Sequence, residues 1–301
     1  MNPFLRLRLQ FCIKLCPMYR TGRFAPSPTG DLHFGSLIAA LASYLQAKSQ
    51  GGQWLVRIED IDPPREVPGS AGRILAELQR FGLKSDQPVL YQSQRTDAYD
   101  DAVRQLLDSR QAYWCGCSRS ELPSSGVYPG TCSQGLPAGK SPRSVRLRIH
   151  DQSIGFTDLI QGSIQENLSE TVGDFVIRRA DGLAAYQLAV VVDDAFQGVT
   201  EVVRGADLLD STARQIHLQN CLGLTTPEYA HHPVAIGEDG HKLSKRLGSD
   251  PITAFSPDRV LELALEFLGQ PCPAGLDRAG LLDWALENWQ LSRIPRSAFT
   301  L

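Results

Sequence analysis

A chain of 301 residues is long enough to bury a substantial core, and its 42% hydrophobic and 21% charged residues are the proportions of a globular protein in water. A net charge of −3 supplies no global basic field, so any contact with nucleic acid must rest on a local patch. Seven cysteines, odd in number and partly clustered, argue against a secreted disulfide framework and for a reducing, cytoplasmic compartment; no apolar run reaches the ~18–20 residues of a membrane span.

The first eighteen residues, MNPFLRLRLQFCIKLCPM, are basic and free of acidic side chains. Charge interrupts their apolar stretch and no small-residue cleavage site follows. They read as a disordered extension, or as the product of an upstream start with Met18 the true beginning, rather than as a signal peptide. Residues 22–36, GRFAPSPTGDLHFGS, predict a short strand and then a turn broken by Pro26, Pro28 and Gly30. An apolar-periodic helix (Leu37, Ile38, Leu41, Tyr44, Leu45) follows, with Ser36 as its cap. Such a junction aims free N–H groups and the positive end of a helix at whatever docks above the strand, which suits phosphate. His33 adds an imidazole that can hydrogen-bond a phosphoryl oxygen.

That helix runs through Gln46, and QWLVRIED then predicts a strand ending in three carboxylates, Glu59, Asp60 and Asp62. Open α/β sheets bind ligands at this end of their strands, although the same acids would also suit a solvated loop. PPREVPG is a rigid turn into an amphipathic helix (Ile74, Leu75, Leu78, Phe81), VLYQSQ a strand, and residues 96–108 a further helix. Cys115, Cys117 and Cys132 sit in a loop rich in Ser, Pro and Gly. Three thiolates suit zinc, which takes four ligands; free or redox-active thiols are the alternative, and spacing does not set the fourth ligand.

Residues 141–183 alternate in the manner of strands, and Arg143, Arg146 and Arg148 would there serve phosphate or solvate an exposed face. LAVVV, residues 188–192, reads as a strand buried on both faces and ending in Asp193 and Asp194. A helix over 210–222 follows, then a strand and turn in HHPVAIGEDG, where His231 and His232 read as loop residues without ligand partners. KLSK, with Lys242 and Lys245, is a glycine-bounded loop whose lysines can neutralise a triphosphate as point charges. About two helices, around 261–268 and 281–289, complete the chain. The alternation of strands and helices is that of a parallel α/β sheet.

RFAPSPTGDLHFG closely resembles the signature of the glutamyl branch of class I aminoacyl-tRNA synthetases, and KLSK resembles their second ATP loop. IEDIDPPREVPG, the cysteine site and YQLAVVVDD with GVTEVVRGADL resemble the glutamyl-queuosine tRNA(Asp) synthetase family, over roughly residues 19–269. The resemblance implies an α/β fold: a Rossmann-like, parallel-sheet catalytic core with a zinc-bearing insertion and a short helical C-terminal part. The expected divisions are the extension 1–18, a first half of the nucleotide-binding fold 19–112, the insertion 113–185, a second half 186–250 and C-terminal helices 251–301.

The resemblance also implies roles. His33, Lys242 and Lys245 would be catalytic; Arg23, Ala25, Ser27, Glu59, Tyr186 and Arg204 would bind glutamate, with Glu59 on its α-amino group and Arg23 and Arg204 on its carboxylates. Pro28, Thr29, Gly30, His33, Gly35 and Lys245 would bind ATP, and the second histidine usual in class I enzymes falls on Ser36. Cys115, Cys117, Tyr128 and Cys132 would hold one structural zinc, with His150 the alternative to Tyr128. In that family L-glutamate is activated by ATP and Mg²⁺ without tRNA, then esterified to the queuosine of tRNA(Asp). Few residues follow Lys245, so no long anticodon-gripping domain is expected, and a monomer away from membranes is. The competing readings are a truncated glutamyl-tRNA synthetase that charges a terminal adenosine, a non-catalytic nucleotide- or RNA-binding relative, and a pantothenate-synthetase-like ligase. The last would not need the cysteine site.

Overall fold

A computed structural model describes residues 20–123, 126–150, 153–234 and 252–297. In chain order the elements are β1 (Thr21–Phe24), α1 (Phe34–Ser49), β2 (Gln53–Ile58), α2 (Ser70–Arg80), β3 (Leu90–Tyr91) and α3 (Thr96–Asp108). Then come β4 (Ala112–Cys115), β5 (Ser144–Leu147), β6 (Ser153–Asp158), β7 (Gly162–Asn167), the single turn α4 (Leu168–Thr171) and β8 (Phe175–Arg178). The chain continues through α5 (Tyr186–Phe196), β9 (Glu201–Gly205), α6 (Leu209–Leu222), β10 (Glu228–His232), α7 (Pro257–Phe267) and α8 (Arg278–Asn288). No helix among the described residues is long and apolar enough to cross a membrane.

Two parallel crossover units carry the site. In the first, β1 pairs with β2 in parallel, Thr21 opposite Gln53 through Phe24 opposite Val56, and β2 pairs with β3. In the second, β9 pairs with β10 in parallel, Glu201 opposite Glu228 through Gly205 opposite His232. β9 comes alongside β1, where the Thr200 N–H donates to the Thr21 carbonyl at 3.0 Å. The chain therefore leaves β1 toward one side of the sheet and β9 toward the other. This reversal opens a crevice beyond the carboxyl ends of β1 and β9, the usual ligand position of such sheets. α1 is buried around its circumference (Leu37, Ile38, Leu41 and Leu45 have no exposure) because it lies between the sheet and the C-terminal helices α7 and α8.

The β-rich segment divides between two sheets. The β6–β7 hairpin pairs antiparallel from Ser153–Asn167 to Asp158–Gly162 and joins the β9–β10 sheet by pairing β6 with β10. β4, β5 and β8 form a separate antiparallel sheet.

Several local expectations are corrected. LAVVV lies in the helix α5, not in a strand: Leu188, Ala189, Val190 and Val191 are all buried. A continuous apolar run of five lacks the period that separates a buried helix from a buried strand. VLYQSQ keeps only a two-residue strand, and Gln92–Gln94 turns as a 3₁₀ helix. α1 begins before Ser36, and its cap is His33, whose extended backbone lets Nδ1 accept the Ser36 N–H. His231 and His232 are buried residues of β10 rather than loop residues. Arg146 and Arg148 neither solvate a face nor stand free for phosphate: Arg146 bonds Cys115 Sγ and covers the Tyr128 ring, and Arg148 donates to the Ser133 carbonyl; Arg143 is exposed.

Candidate active site and metal centre

The crevice is a cavity of about 640 Å³. Its walls come from the β1 end (Arg23, Phe24), the turn that follows, the first turn of α1, Glu59 after β2, Tyr186 opening α5, and Arg204 with Gly205 ending β9. Of the residues expected to bind substrates, Arg23, Ala25, Ser27, Thr29, Gly30, His33, Gly35, Glu59, Tyr186 and Arg204 all line it. Pro28 does not: it is buried behind the turn, with its carbonyl accepting from Val67 N–H at 2.9 Å. Lys242 and Lys245 lie outside the described residues.

His33 stands at the positive end of α1, with Nε2 2.9 Å from Ser36 Oγ. The Ser36 hydroxyl thus orients the imidazole. Within the carboxylate cluster, Asp60 accepts from Ser93 N–H at 2.9 Å and its hydroxyl at 2.7 Å, and Asp62 pairs with Arg65 and Arg179. These two tie loops together and leave Glu59 to face the cavity.

Buried charge is concentrated at the floor. Asp194 takes Arg57 Nη1 at 2.8 Å and Arg23 Nε at 3.2 Å, and all three side chains are at most 6% exposed. Burial alone would raise Asp194, but Arg23 and Arg57 outweigh it and hold the carboxyl below its usual range. Glu59 is only 3.4 Å from Arg57 Nη2, a weaker contact, and burial pushes it up to about 7 against the pull of Arg57 and Arg23.

Arg204 differs from the other two arginines. It is 4% exposed and has no carboxylate partner among the described residues. Its Nε donates to His231 Nε2 at 2.9 Å and its Nη2 to Thr212 Oγ1 at 2.9 Å. Its Nη1 is buried with no hydrogen-bond partner among the described residues. Burial depresses its basicity, since a cation without a counter-charge is costly to desolvate. A buried guanidinium with an unpaired nitrogen, on a residue that lines a cavity, is suited to an anionic ligand.

Arg57, Asp194, Thr212, His231 and Asp158 support this floor and were not expected there. The signal for Arg57 and Asp158 is a charge inside an otherwise apolar strand (QWLVRIED, GFTDLIQG), where burial demands a partner.

A second centre forms at the end of β4. Cys115, Cys117 and Cys132 bring their Sγ atoms within 4.8 Å of one another and could hold a metal ion. Tyr128 Oη lies 3.3 Å from Cys115 Sγ and 3.5 Å from Cys117 Sγ, and accepts the Cys132 N–H at 3.1 Å. Its placement depends on Gly173, which bridges to it with φ +66°; a Cβ there would stand 2.4 Å from the Tyr128 carbonyl oxygen. Arg146 lies over the Tyr128 ring at 3.7 Å, with Nε 3.4 Å from Cys115 Sγ. Burial opposes ionisation of Cys115, but the Tyr128 hydroxyl, the Cys117 N–H and Arg146 together bring it down to about 7. His150 is exposed and outside the cluster.

The sequence model for "tRNA synthetases class I (E and Q), catalytic domain" matches residues 20–125 and 134–256. A glutamyl-Q tRNA(Asp) synthetase of Dechloromonas aromatica is 52% identical over 292 residues, covering 93% of this chain and 97% of the relative. One of Pseudomonas aeruginosa is 52% identical over 281 residues, covering 92% and 96%. Among solved structures, the glutamate-tRNA synthetase of Elizabethkingia anophelis superposes with a TM-score of 0.81 at 29% identity, covering 94% of this chain and 68% of that one. A glutamate tRNA ligase from Elizabethkingia meningosepticum, in complex with its amino acid, gives 0.81 at 28% identity, covering 94% and 67%. With its parallel sheet, its crevice at the strand reversal and these relatives, the chain belongs to the glutamyl and glutaminyl family of class I aminoacyl-tRNA synthetases, which are ligases.

Proposed function

We propose that the protein activates L-glutamate with ATP in the absence of tRNA and transfers it to the queuosine of tRNA(Asp). The observation that carries the amino-acid half is Arg204, a buried guanidinium whose Nη1 has no hydrogen-bond partner and which has no carboxylate partner among the described residues. The relatives' names support the acceptor. The glutamate α-carboxylate must be free to attack the α-phosphorus of ATP, so the carboxylate held by Arg204, with Arg23 beside it, is that of the side chain. Glu59, once ionised, takes the ammonium group. Attack displaces pyrophosphate in line and leaves the glutamyl adenylate; a queuosine hydroxyl then attacks the adenylate carbonyl and AMP departs. His33 and the N-terminal turn of α1 receive the phosphates, with Lys242 and Lys245 drawing off charge, while Mg²⁺ accompanies ATP as the phosphate counter-ion. A modified base splayed from an anticodon loop is the form in which single-stranded RNA is read.

Zinc suits the second centre. Ligand atoms about 2.0–2.3 Å from one zinc in a tetrahedron lie about 3.5–3.8 Å apart. The Cys117–Cys132 sulfur separation is 3.7 Å and the Tyr128 oxygen stands 3.3 and 3.5 Å from two sulfurs. Bound there, zinc would supply a structural cross-link. The loop has little else, since its apolar cluster is chiefly Tyr113, Tyr128 and the cysteines themselves. The test of the activation step is glutamate-dependent ATP–pyrophosphate exchange without tRNA. Exchange is expected; exchange that starts only when tRNA is added would favour an ordinary glutamyl-tRNA synthetase.

A further inference from the structure

Behind Arg204 runs a chain of buried polar groups that substrate does not reach. Asp158, at the end of β6, and His231, in β10, have no side-chain exposure, and His231 Nδ1 lies 2.6 Å from Asp158 Oδ2. The other oxygen, Asp158 Oδ1, accepts three backbone N–H groups: Ile160 at 3.0 Å, Gln161 at 2.8 Å and His231 at 3.1 Å. A carboxylate so surrounded by donors stays ionised and can only accept. The imidazole proton therefore sits on Nδ1, and Nε2 turns its lone pair outward. That lone pair meets Arg204 Nε at 2.9 Å, with Thr212 Oγ1 3.2 Å away and itself accepting from Arg204 Nη2. The guanidinium is gripped on its Nε and Nη2 side, and Nη1 is buried without a hydrogen-bond partner among the described residues.

We propose that Asp158 and His231 are positioning residues for the amino-acid site: Asp158 sets the imidazole tautomer, and the imidazole sets the fork of Arg204 that receives the substrate carboxylate. The inference rests on the glutamate reading above and makes the β6–β7 hairpin part of substrate recognition. A role in packing alone accounts poorly for the arrangement. Apolar residues of the same volume are commonly as stabilising as a buried ionic chain, or more so, and this chain ends on a residue of the cavity wall whose Nη1 has no hydrogen-bond partner among the described residues. Burial, together with the charge of Arg204, favours neutral His231 over the imidazolium, although the Asp158 bond pulls the other way.

Asp158→Asn tests the tautomer. The amide oxygen can keep the three backbone donors, but the amide N–H₂ now faces Nδ1. The imidazole proton must move to Nε2, where it confronts the Arg204 N–H donor to donor. In pyrophosphate exchange, KM for glutamate should rise at least tenfold while KM for ATP stays within twofold. His231→Gln, whose carbonyl can still accept from Arg204, should have a KM for glutamate at least fivefold below that of His231→Phe, which fills the space without an acceptor. Where Asp158→Asn does not fold, this pair decides. A glutamate KM raised less than tenfold in folded Asp158→Asn, equal rises for glutamate and ATP, or indistinguishable Gln and Phe variants would each overturn the proposal. If the wild-type protein shows no glutamate-dependent exchange, the glutamate reading itself fails.

Discussion

Arg204→Met removes the buried guanidinium while keeping a long side chain in its space. The substrate carboxylate would then enter a desolvated site without its charge partner, which costs ~3–5 kcal/mol when one member of a buried pair is removed. At about 1.4 kcal/mol per decade, kcat/KM for glutamate in pyrophosphate exchange should fall roughly 140- to 4000-fold. The unliganded protein should respond in the opposite sense. Arg204 is buried without a counter-charge among the described residues, so methionine relieves a desolvation penalty, and Thr212 and His231, 3.2 Å apart, can still bond each other. A gain of ~1–4 kcal/mol is the range for such replacements, at ~2–4 °C of Tm per kcal/mol for a domain of this size. Thermal melts with and without glutamate should show a higher Tm for the free variant and no shift on adding glutamate. Exchange activity within tenfold of wild type would refute the assignment of Arg204 to a substrate carboxylate.

Lys245→Ala should slow exchange by roughly 10²–10³, the cost of losing one preorganised transition-state contact, with an unchanged melting curve. Elemental analysis should find one zinc per chain, reduced in Cys117→Ser, with proteolysis of the cysteine loop increasing before the parallel sheet is affected; wild-type protein without zinc would remove the site. Because Glu59 is raised to about 7, KM for glutamate should fall as pH rises from 6 to 8, and Glu59→Gln should bind weakly with no such slope. The stability sign follows from the same shift. A folded pKa above the ordinary carboxylate value favours the folded state at low pH, and this contribution is lost as pH rises through about 7. Melts of Glu59→Gln should therefore lose the part of the pH slope between about 4.5 and 7; an unchanged slope would mean that Glu59 is not the titrating group.

Much of the site was legible because its chemistry is local. The turn over residues 25–33 and the helix that starts beside His33 are written in consecutive prolines, glycines and an apolar period, and they form one wall of the cavity. Cys115, Cys117 and Cys132 were likewise readable as a cluster, since few chemistries gather three thiols. The floor was not readable in the same way. Arg57 and Asp194 are 137 positions apart, and Asp158 and His231 are 73 apart, so only the fold brings each pair together. The α5 helix was misread because its buried faces leave no polar stripe to reveal a helical period. Arg146 offers the same lesson: alternation placed it on a strand face, but whether that face meets water or Tyr128 depends on the packing of β5 against the cysteine loop.

The most direct test of the whole account is transfer of radiolabelled glutamate to tRNA(Asp) prepared with and without queuosine, both bearing an intact terminal adenosine. The account predicts labelling of the queuosine-containing tRNA alone, with the label retained on the anticodon fragment after nuclease cleavage. Robust labelling of tRNA that lacks queuosine would contradict it and assign the protein to charging of the terminal adenosine.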